Sequence, residues 1–211
     1  MAHERHFSDA AATWDARFGG SDFLFGSAPN AYLASQRGLL AAGASALAVA
    51  DGDGRNSVWL AQQGLRVDAF DISPVGVAKA SAMARTAGVE VNLQVADCEA
   101  WNWQADAYDV VVAIFVQFAD PAMRARLFEN MVATLKPGGY LIVQGYTPAQ
   151  LDYKTGGPGV RAHLYTGAML REAFAALKIL DLREYDAVLA EGSAHRGRSA
   201  LLGMVARKRQ A

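Results

Sequence analysis

The chain contains one cysteine, Cys98, in 211 residues. An internal disulfide is therefore impossible, and a cysteine-rich zinc site is excluded. Histidine is also scarce. His3, His6, His163 and His195 are scattered, and no pair has i,i+4 spacing with a third ligand, so no metal is expected. No charge of one sign dominates: Lys plus Arg number 20 and Asp plus Glu 21, for a net −1. Domains that hold nucleic acid through its phosphates are usually strongly basic, which disfavours that partner. The closing Arg207-Lys208-Arg209 run is too short to change this. No apolar run approaches the ~18 residues a membrane helix needs. The longest, residues 110–116, has the length of a buried strand. Residues 1–18 have no apolar stretch of the secretory kind. The expectation is a soluble cytoplasmic protein, monomer or homodimer, with no membrane partner. A Gly-x-Ser-x-Gly nucleophile turn is missing too.

What is present is a core and an alternation. Apolar residues make up 52% and charged residues 19%, as in one folded domain. A short apolar run at 46–50 precedes the turn Asp51-Gly52-Asp53-Gly54, and 56–63 reads as a helix. A strand at 65–70 ends at Asp71. Ser73 and Pro74 then cap and open a helix that runs to Ala87 and stops at Gly88. Strands follow at 89–95 and at 108–115, the second almost wholly apolar and so covered on both faces. Asp120-Pro121 opens another helix, lasting to Leu135. Lys136-Pro137-Gly138-Gly139 breaks it before a strand at 140–144. Such units imply a parallel sheet with right-handed crossovers. Beyond them lie a Gly/Pro/Thr-rich segment at 145–165, a helix at 166–177, and apolar runs at 179–188 and 200–206. The connection at 191–197 reads as a hairpin, which puts one antiparallel strand near the sheet edge. Before residue 44, helices are expected at 8–18 and 29–41. The expected fold is a Rossmann-like three-layer α/β sandwich on a mainly parallel seven-stranded sheet.

In open parallel sheets ligands bind beyond the carboxyl ends of the strands, where the order reverses. The turn 51–56 falls there, and Asp71 ends the next strand, the usual place for an acid that accepts ribose hydroxyls. A dinucleotide site needs a third glycine, but the turn reads GDGRNS from Gly52. Asp51 and Asp53 would also repel a pyrophosphate by several kcal/mol at low effective dielectric. Carboxylates favour a cofactor that is cationic and has no phosphate. S-adenosylmethionine has these properties, with a sulfonium and an ammonium. Asp97, with Cys98 beside it, adds an acid after the third strand, where the adenine should lie.

The stretches 50–80, 95–99, 108–118 and 135–145 resemble the class I S-adenosylmethionine-dependent methyltransferases. Within them the chain is most similar to the small tellurite-resistance and thiopurine methyltransferase type. TWDARF at 13–18 and the His-Arg in EGSAHRGRSALLGMVARK at 191–208 carry that second likeness. The resemblance implies that Gly52 and Gly54 contact the methionine part, Asp71 the ribose and Ile72 the adenine. Asp97 and Cys98 would sit at the adenine edge, and Ala113 and Ile114 on the methionine or substrate side. Asp51, Asn56 and Ser73 complete the expected cofactor set. In place of the first glycine of the resembled turn stands Ala50, and in place of the acid before it, Ala48. The implied layout is a single domain over 1–211. It comprises a helical cap (1–43), a cofactor core (44–145), a lid or substrate loop (146–165) and a C-terminal helix and hairpin (166–211).

His195 and Arg196 in the hairpin, with Tyr146 after the fifth strand, are the expected catalytic residues. His195 takes a proton or holds an anion, and Arg196 or Arg198 holds an anionic substrate. Gln150, Tyr153 and His163 share the long segment with Tyr146. Trp14, Phe18, Phe23 and Phe25 are placed to close the pocket, whereas Trp101 and Trp103 read as packing. The expected activity is methyl transfer to a small-molecule acceptor with a soft nucleophile, either a thiol or a tellurium or selenium oxyanion. O- or N-methylation of another metabolite, a macromolecular acceptor, a cofactor-binding regulator and a nicotinamide oxidoreductase are its rivals. Ala113-Ile114-Phe115-Val116 stands where nucleic-acid amino-methyltransferases carry Asn/Asp-Pro-Pro-Tyr/Phe.

Overall fold

The computed structural model describes residues 2–210, with side chains from Ser8 onward. His3 and His6 lie outside those described side chains. The chain opens with α1 (Ala2–Phe18), the short α2 (Ala31–Ser35) and a 3-10 turn, Arg37–Leu39. Alternation follows: β1 (Ser45–Val49), α3 (Arg55–Gln62), β2 (Arg66–Asp71), α4 (Pro74–Ala87), β3 (Asn92–Val95), β4 (Tyr108–Ile114), α5 (Pro121–Thr134) and β5 (Leu135–Tyr146). The remainder is α6 (Gln150–Tyr153), a 3-10 turn Arg161–His163, α7 (Gly167–Ala173), β6 (Leu177–Glu191) and β7 (His195–Lys208).

The strands form one seven-stranded sheet in the order β3-β2-β1-β4-β5-β7-β6. Every pair from β3 to β5 is parallel, and β7 runs antiparallel to both its neighbours. This is the expected sheet. The order reverses between β1 and β4, which opens a crevice at their carboxyl ends. Period-two alternation sends neighbouring residues to opposite faces. Val111, Leu141 and Met204 pack on one side with Phe70 and Met131, while Val110, Ile142 and Val205 pack on the other with Leu60 and Tyr32.

Cap chemistry explains the helix starts. Gly76 N–H donates to Ser73 Oγ at 3.0 Å, with Pro74 in the first turn of α4. Asp120 accepts from the N–H groups of Ala122 and Met123 at 2.8 and 2.9 Å. Several boundaries differ from expectation. The helix expected at 29–41 is the short α2 followed by the 3-10 turn Arg37–Leu39, and the one expected at 166–177 ends at Ala173, with Leu177 opening β6. β3 starts at Asn92 because residues 88–89 close α4, with Val89 N–H donating to Ala84 O at 3.1 Å. Leu135 already pairs with Tyr108, so Lys136-Pro137-Gly138-Gly139 is a bulge inside β5 before pairing resumes at Tyr140. The hairpin is longer than expected: pairing continues to Glu191 and His195, which places His195 on a strand. No helix among the described residues is long and apolar enough to cross a membrane.

Candidate active site

The chain leaves β1 through three left-handed residues, Ala50 (φ 49°), Gly52 (φ 68°) and Gly54 (φ 95°). The two glycines serve different ends. A Cβ on Gly52 would lie 2.9 Å from the Phe18 ring, which α1 lays over the turn. A Cβ on Gly54 would meet Ala80 of α4 at 2.6 Å, so that glycine permits helix–helix contact. Gly52 N–H donates to Asp71 Oδ2 and Ser73 N–H to Asp71 Oδ1, both at 2.9 Å. The Asp71 carboxylate is thereby fixed at the tip of β2 with lone pairs to spare. Asp51 accepts from the N–H and the hydroxyl of Ser57 in α3. Burial pushes both carboxyls up to about 6.

Beyond these strand ends lies a cavity of about 400 Å³. Asp51, Asp71 and Asp97 line one end, with Ile72 and Cys98. Burial pushes the Cys98 thiol well above its ordinary range, so it stays protonated. The other end is aromatic: Phe25, Phe115, Tyr146 and His195, joined by Pro158 and His163. Trp14 and Phe18 of α1 complete the wall, their rings stacked 5.5 Å apart. Asp15 between them docks α1, accepting from Val75 N–H at 3.1 Å and from the Ser73 hydroxyl.

His195 sits against Phe115 at 4.2 Å and Phe25 at 4.5 Å between ring centroids. Burial, with Arg55 and Arg17 adding to it, lowers its pKa, so the imidazole is neutral at pH 7. The hydroxyl of Tyr146 is buried without a hydrogen-bond partner among the described residues. Behind this end runs a polar network that sequence reasoning missed. Arg55 pairs with Glu191 at 2.8 Å and donates to Phe25 O at 2.9 Å. Asn30 donates to Gln144 Oε1 at 2.7 Å, and its N–H donates to Asn56 Oδ1 at 3.0 Å. These residues lie up to 161 positions apart, so no local signal marked them.

Residues 46–139 match a family model described as "Methyltransferase domain". Over that stretch the chain is similar to methyltransferase domains. An uncharacterised Mycobacterium tuberculosis protein is 32% identical over 103 residues, 48% of this chain. The chain covers 37% of that relative's length. TehB from Haemophilus influenzae superposes with a TM-score of 0.70 at 17% identity, over 94% of this chain and 67% of TehB. The N-methyltransferase NodS from Bradyrhizobium japonicum, in complex with S-adenosylhomocysteine, gives 0.69 at 15%, over 94% and 97%. At such identities the superpositions establish the fold.

The resemblance implies S-adenosylmethionine, and the residues lining the cavity fit it. Burial raises the pKa of Asp51 and Asp71, and a cation with hydroxyl donors relieves that cost. Of the expected cofactor residues, the cavity wall includes Asp51, Gly52, Asn56, Asp71 and Ile72, together with Asp97, Cys98 and Ile114. Three are corrected. Gly54 faces α4, and the Ser73 side chain caps α4, leaving only its N–H to hold Asp71. Ala113 packs in the core on the other face of β4, since strand neighbours alternate. Asp53 lies under the segment at 23–26, accepting from Leu24 N–H at 3.0 Å.

Among the expected catalytic residues, His195 and Tyr146 meet at the cavity, 5.7 Å apart by ring centroids. Arg196 does not: it is exposed, one residue on and so pointing to the other face of β7. Arg198 is bound to Asp186 at 2.7 Å, away from the cavity. Gln150 is a buried staple, donating to Thr155 Oγ1 at 3.0 Å and accepting from Ala200 N–H at 2.9 Å. Tyr153 is also removed from the site, on Asp186. Trp101 stacks on Phe70 at 4.5 Å, as packing. Among the described residues, no three His, Cys, Asp or Glu side chains are grouped to hold a metal.

Proposed function

We propose that this chain transfers the methyl group of S-adenosylmethionine to a small molecule whose nucleophile is a thiol. One observation carries the reading: a single cavity joins a fixed, buried Asp71 at its acidic end to a neutral His195 among aromatic rings at its other end. When bound, the cofactor supplies an electrophilic methyl carbon. Asp71 would accept its ribose hydroxyls, Ile72, Asp97 and Cys98 would face its base, and Asp51 with Gly52 its cationic amino-acid part. The aromatic end excludes water and orients the acceptor. His195, uncharged at pH 7, receives the acceptor's proton. Arg196 and Arg198, the cations expected to hold an anion, lie outside the cavity, whereas Arg17 and Arg55 line it, Arg55 being paired with Glu191. A thiol is favoured over a tellurium or selenium oxyanion because a neutral His195 serves an acceptor that has a proton to give up. Residues 155–158 cover the acceptor end: a Cβ on Gly157 would come within 2.7 Å of the Tyr146 ring.

The test is a thermal-shift series with S-adenosylmethionine, S-adenosylhomocysteine and NAD. Release of S-adenosylhomocysteine is then followed over thiols, phenols, amines and chalcogen oxyanions. At ~100 times the dissociation constant, a ligand adds about 2.7 kcal/mol, roughly 5–10 °C for a chain of this size. The two adenosyl ligands should give that shift, and thiols should turn over. His195→Ala should lower the rate ~100-fold or more with cofactor affinity nearly intact. A shift with NAD alone would overturn the reading.

A further inference from the structure

Glu191, the last residue of β6, is where four parts of the chain meet. Its carboxylate accepts from Arg55 Nη1 at 2.8 Å, from Asn30 Nδ2 at 3.1 and 3.3 Å, and from Ala31 N–H at 3.2 Å. The Arg55 and Glu191 side chains are only 4% and 12% exposed. An ion pair this deep costs several kcal/mol in lost hydration, and apolar residues of similar volume often replace one without loss of stability. Its charge therefore calls for a reason other than stability. A further neighbour of Glu191 provides one. Oε2 stands 3.7 Å from His195 Nδ1, and Nδ1 is buried with no hydrogen-bond partner among the described residues. That separation is too long for a hydrogen bond but well inside the range in which a charge governs ionisation.

The other groups facing the ring are Phe25 from the segment after α1, Phe115 after β4, and Tyr146 at the end of β5. Arg55 from α3 and Arg17 from α1 act on it as cations. Both arginines oppose a positive charge on the ring, and Glu191 favours one. Because Nδ1 is turned toward Glu191, Nε2 is the nitrogen left toward the cavity.

We propose that Glu191 is a positioning residue for the reaction: it faces Nδ1 of His195, keeps Nε2 toward the acceptor, and offsets the charge the ring gains with the acceptor's proton. In that step the acceptor's S–H bond breaks, an N–H bond forms at Nε2, and the electron pair stays on sulfur. A closure of roughly 0.5–1 Å then brings the Nδ1–H of the imidazolium into hydrogen-bond range of the carboxylate. The inference rests on the proposed role of His195 at the acceptor end.

The experiment is an NMR titration of the His195 imidazole in the full chain, alongside pH profiles of kcat and KM. In Glu191→Gln the His195 midpoint should fall by about one pH unit. The kcat should fall roughly tenfold, with KM and cofactor affinity within about twofold of the parent. Arg55→Gln breaks the same ion pair but keeps the carboxylate, so it should raise the midpoint. Opposite shifts from the two halves of one pair are not what a merely structural role produces. An unchanged midpoint in Glu191→Gln, or shifts in the same direction, would overturn the proposal. If Glu191→Gln does not fold, Arg55→Gln decides: a raised midpoint supports the proposal, and none overturns it. A parent chain that methylates no acceptor would sink the proposed activity, while the titration would still judge the coupling of Glu191 to His195.

Discussion

At the scale of single residues, Asp71 shows how backbone fixes a carboxylate at a cavity wall. Its two oxygens are held by the N–H groups of Gly52 and Ser73, which come from different turns. Asp71→Asn keeps the shape and removes the charge. It should weaken S-adenosylmethionine by about 1.5–3 kcal/mol per lost charged hydrogen bond, read by calorimetry. Ala50 tests the turn itself. It holds φ 49° without being glycine, and a left-handed alanine costs roughly 1–2 kcal/mol. Ala50→Gly should therefore stabilise the chain by up to about 1 kcal/mol in denaturant titrations, once the greater freedom of glycine in the unfolded chain is counted. Phe115 is also left-handed, at φ 57°, and its ring packs on both Tyr146 and His195. Strain at a residue that shapes the cavity is where folds tend to keep it.

At the scale of elements, the hairpin β6–β7 and the segment between α1 and α2 act as one clasp. Ser193 and Ala194 donate their N–H groups to Leu24 O at 3.1 and 3.2 Å. A Cβ on Gly192 would lie 2.4 Å from Gly26 N and Leu24 O, both backbone atoms, and Gly192 has φ 63°. Gly192→Val should therefore push the two apart. Limited proteolysis should then cut faster within residues 19–30, and cofactor affinity should fall as Phe25 leaves the wall. Equal proteolysis rates in variant and parent would show that the clasp does not need this glycine. Helix starts at Ser73 and Asp120 and the stop at Gly88 were legible in the sequence, because caps are local. The length of the hairpin was not, since cross-strand pairing has no residue-level signal beyond the apolar runs 179–188 and 200–206.

At the scale of the molecule, the acidic end of the cavity ties stability and binding to pH in opposite senses. Asp51 and Asp71 have folded-state pKa values raised to about 6, against about 3.9 for an unfolded aspartate. Between those values the folded chain holds protons that the unfolded chain has released. Stability from these groups is thus present below about 4 and is lost as pH rises through 6, by up to ~3 kcal/mol each. A cationic cofactor prefers the ionised acids, so its affinity should rise over the same interval. Thermal melts from pH 5 to 7.5 should show the gain from S-adenosylmethionine widening with pH. A constant gain would mean that these carboxylates do not face the cofactor's charge.

The sequence by itself determined the architecture and the acidic half of the site. Strand–helix alternation, three caps, a glycine turn and an acid at the end of the next strand are short-range patterns that survive without knowledge of distant contacts. Tertiary structure alone decided the aromatic half. It separated Gly52, which makes room for Phe18, from Gly54, which makes room for Ala80. It turned Arg196 outward and brought His195 inward, since neighbours on a strand face opposite ways. It also assembled Asn30, Arg55, Gln144 and Glu191 into one buried network. Each of those polar groups needs a partner once water is gone, and the partners come from four elements far apart in the chain.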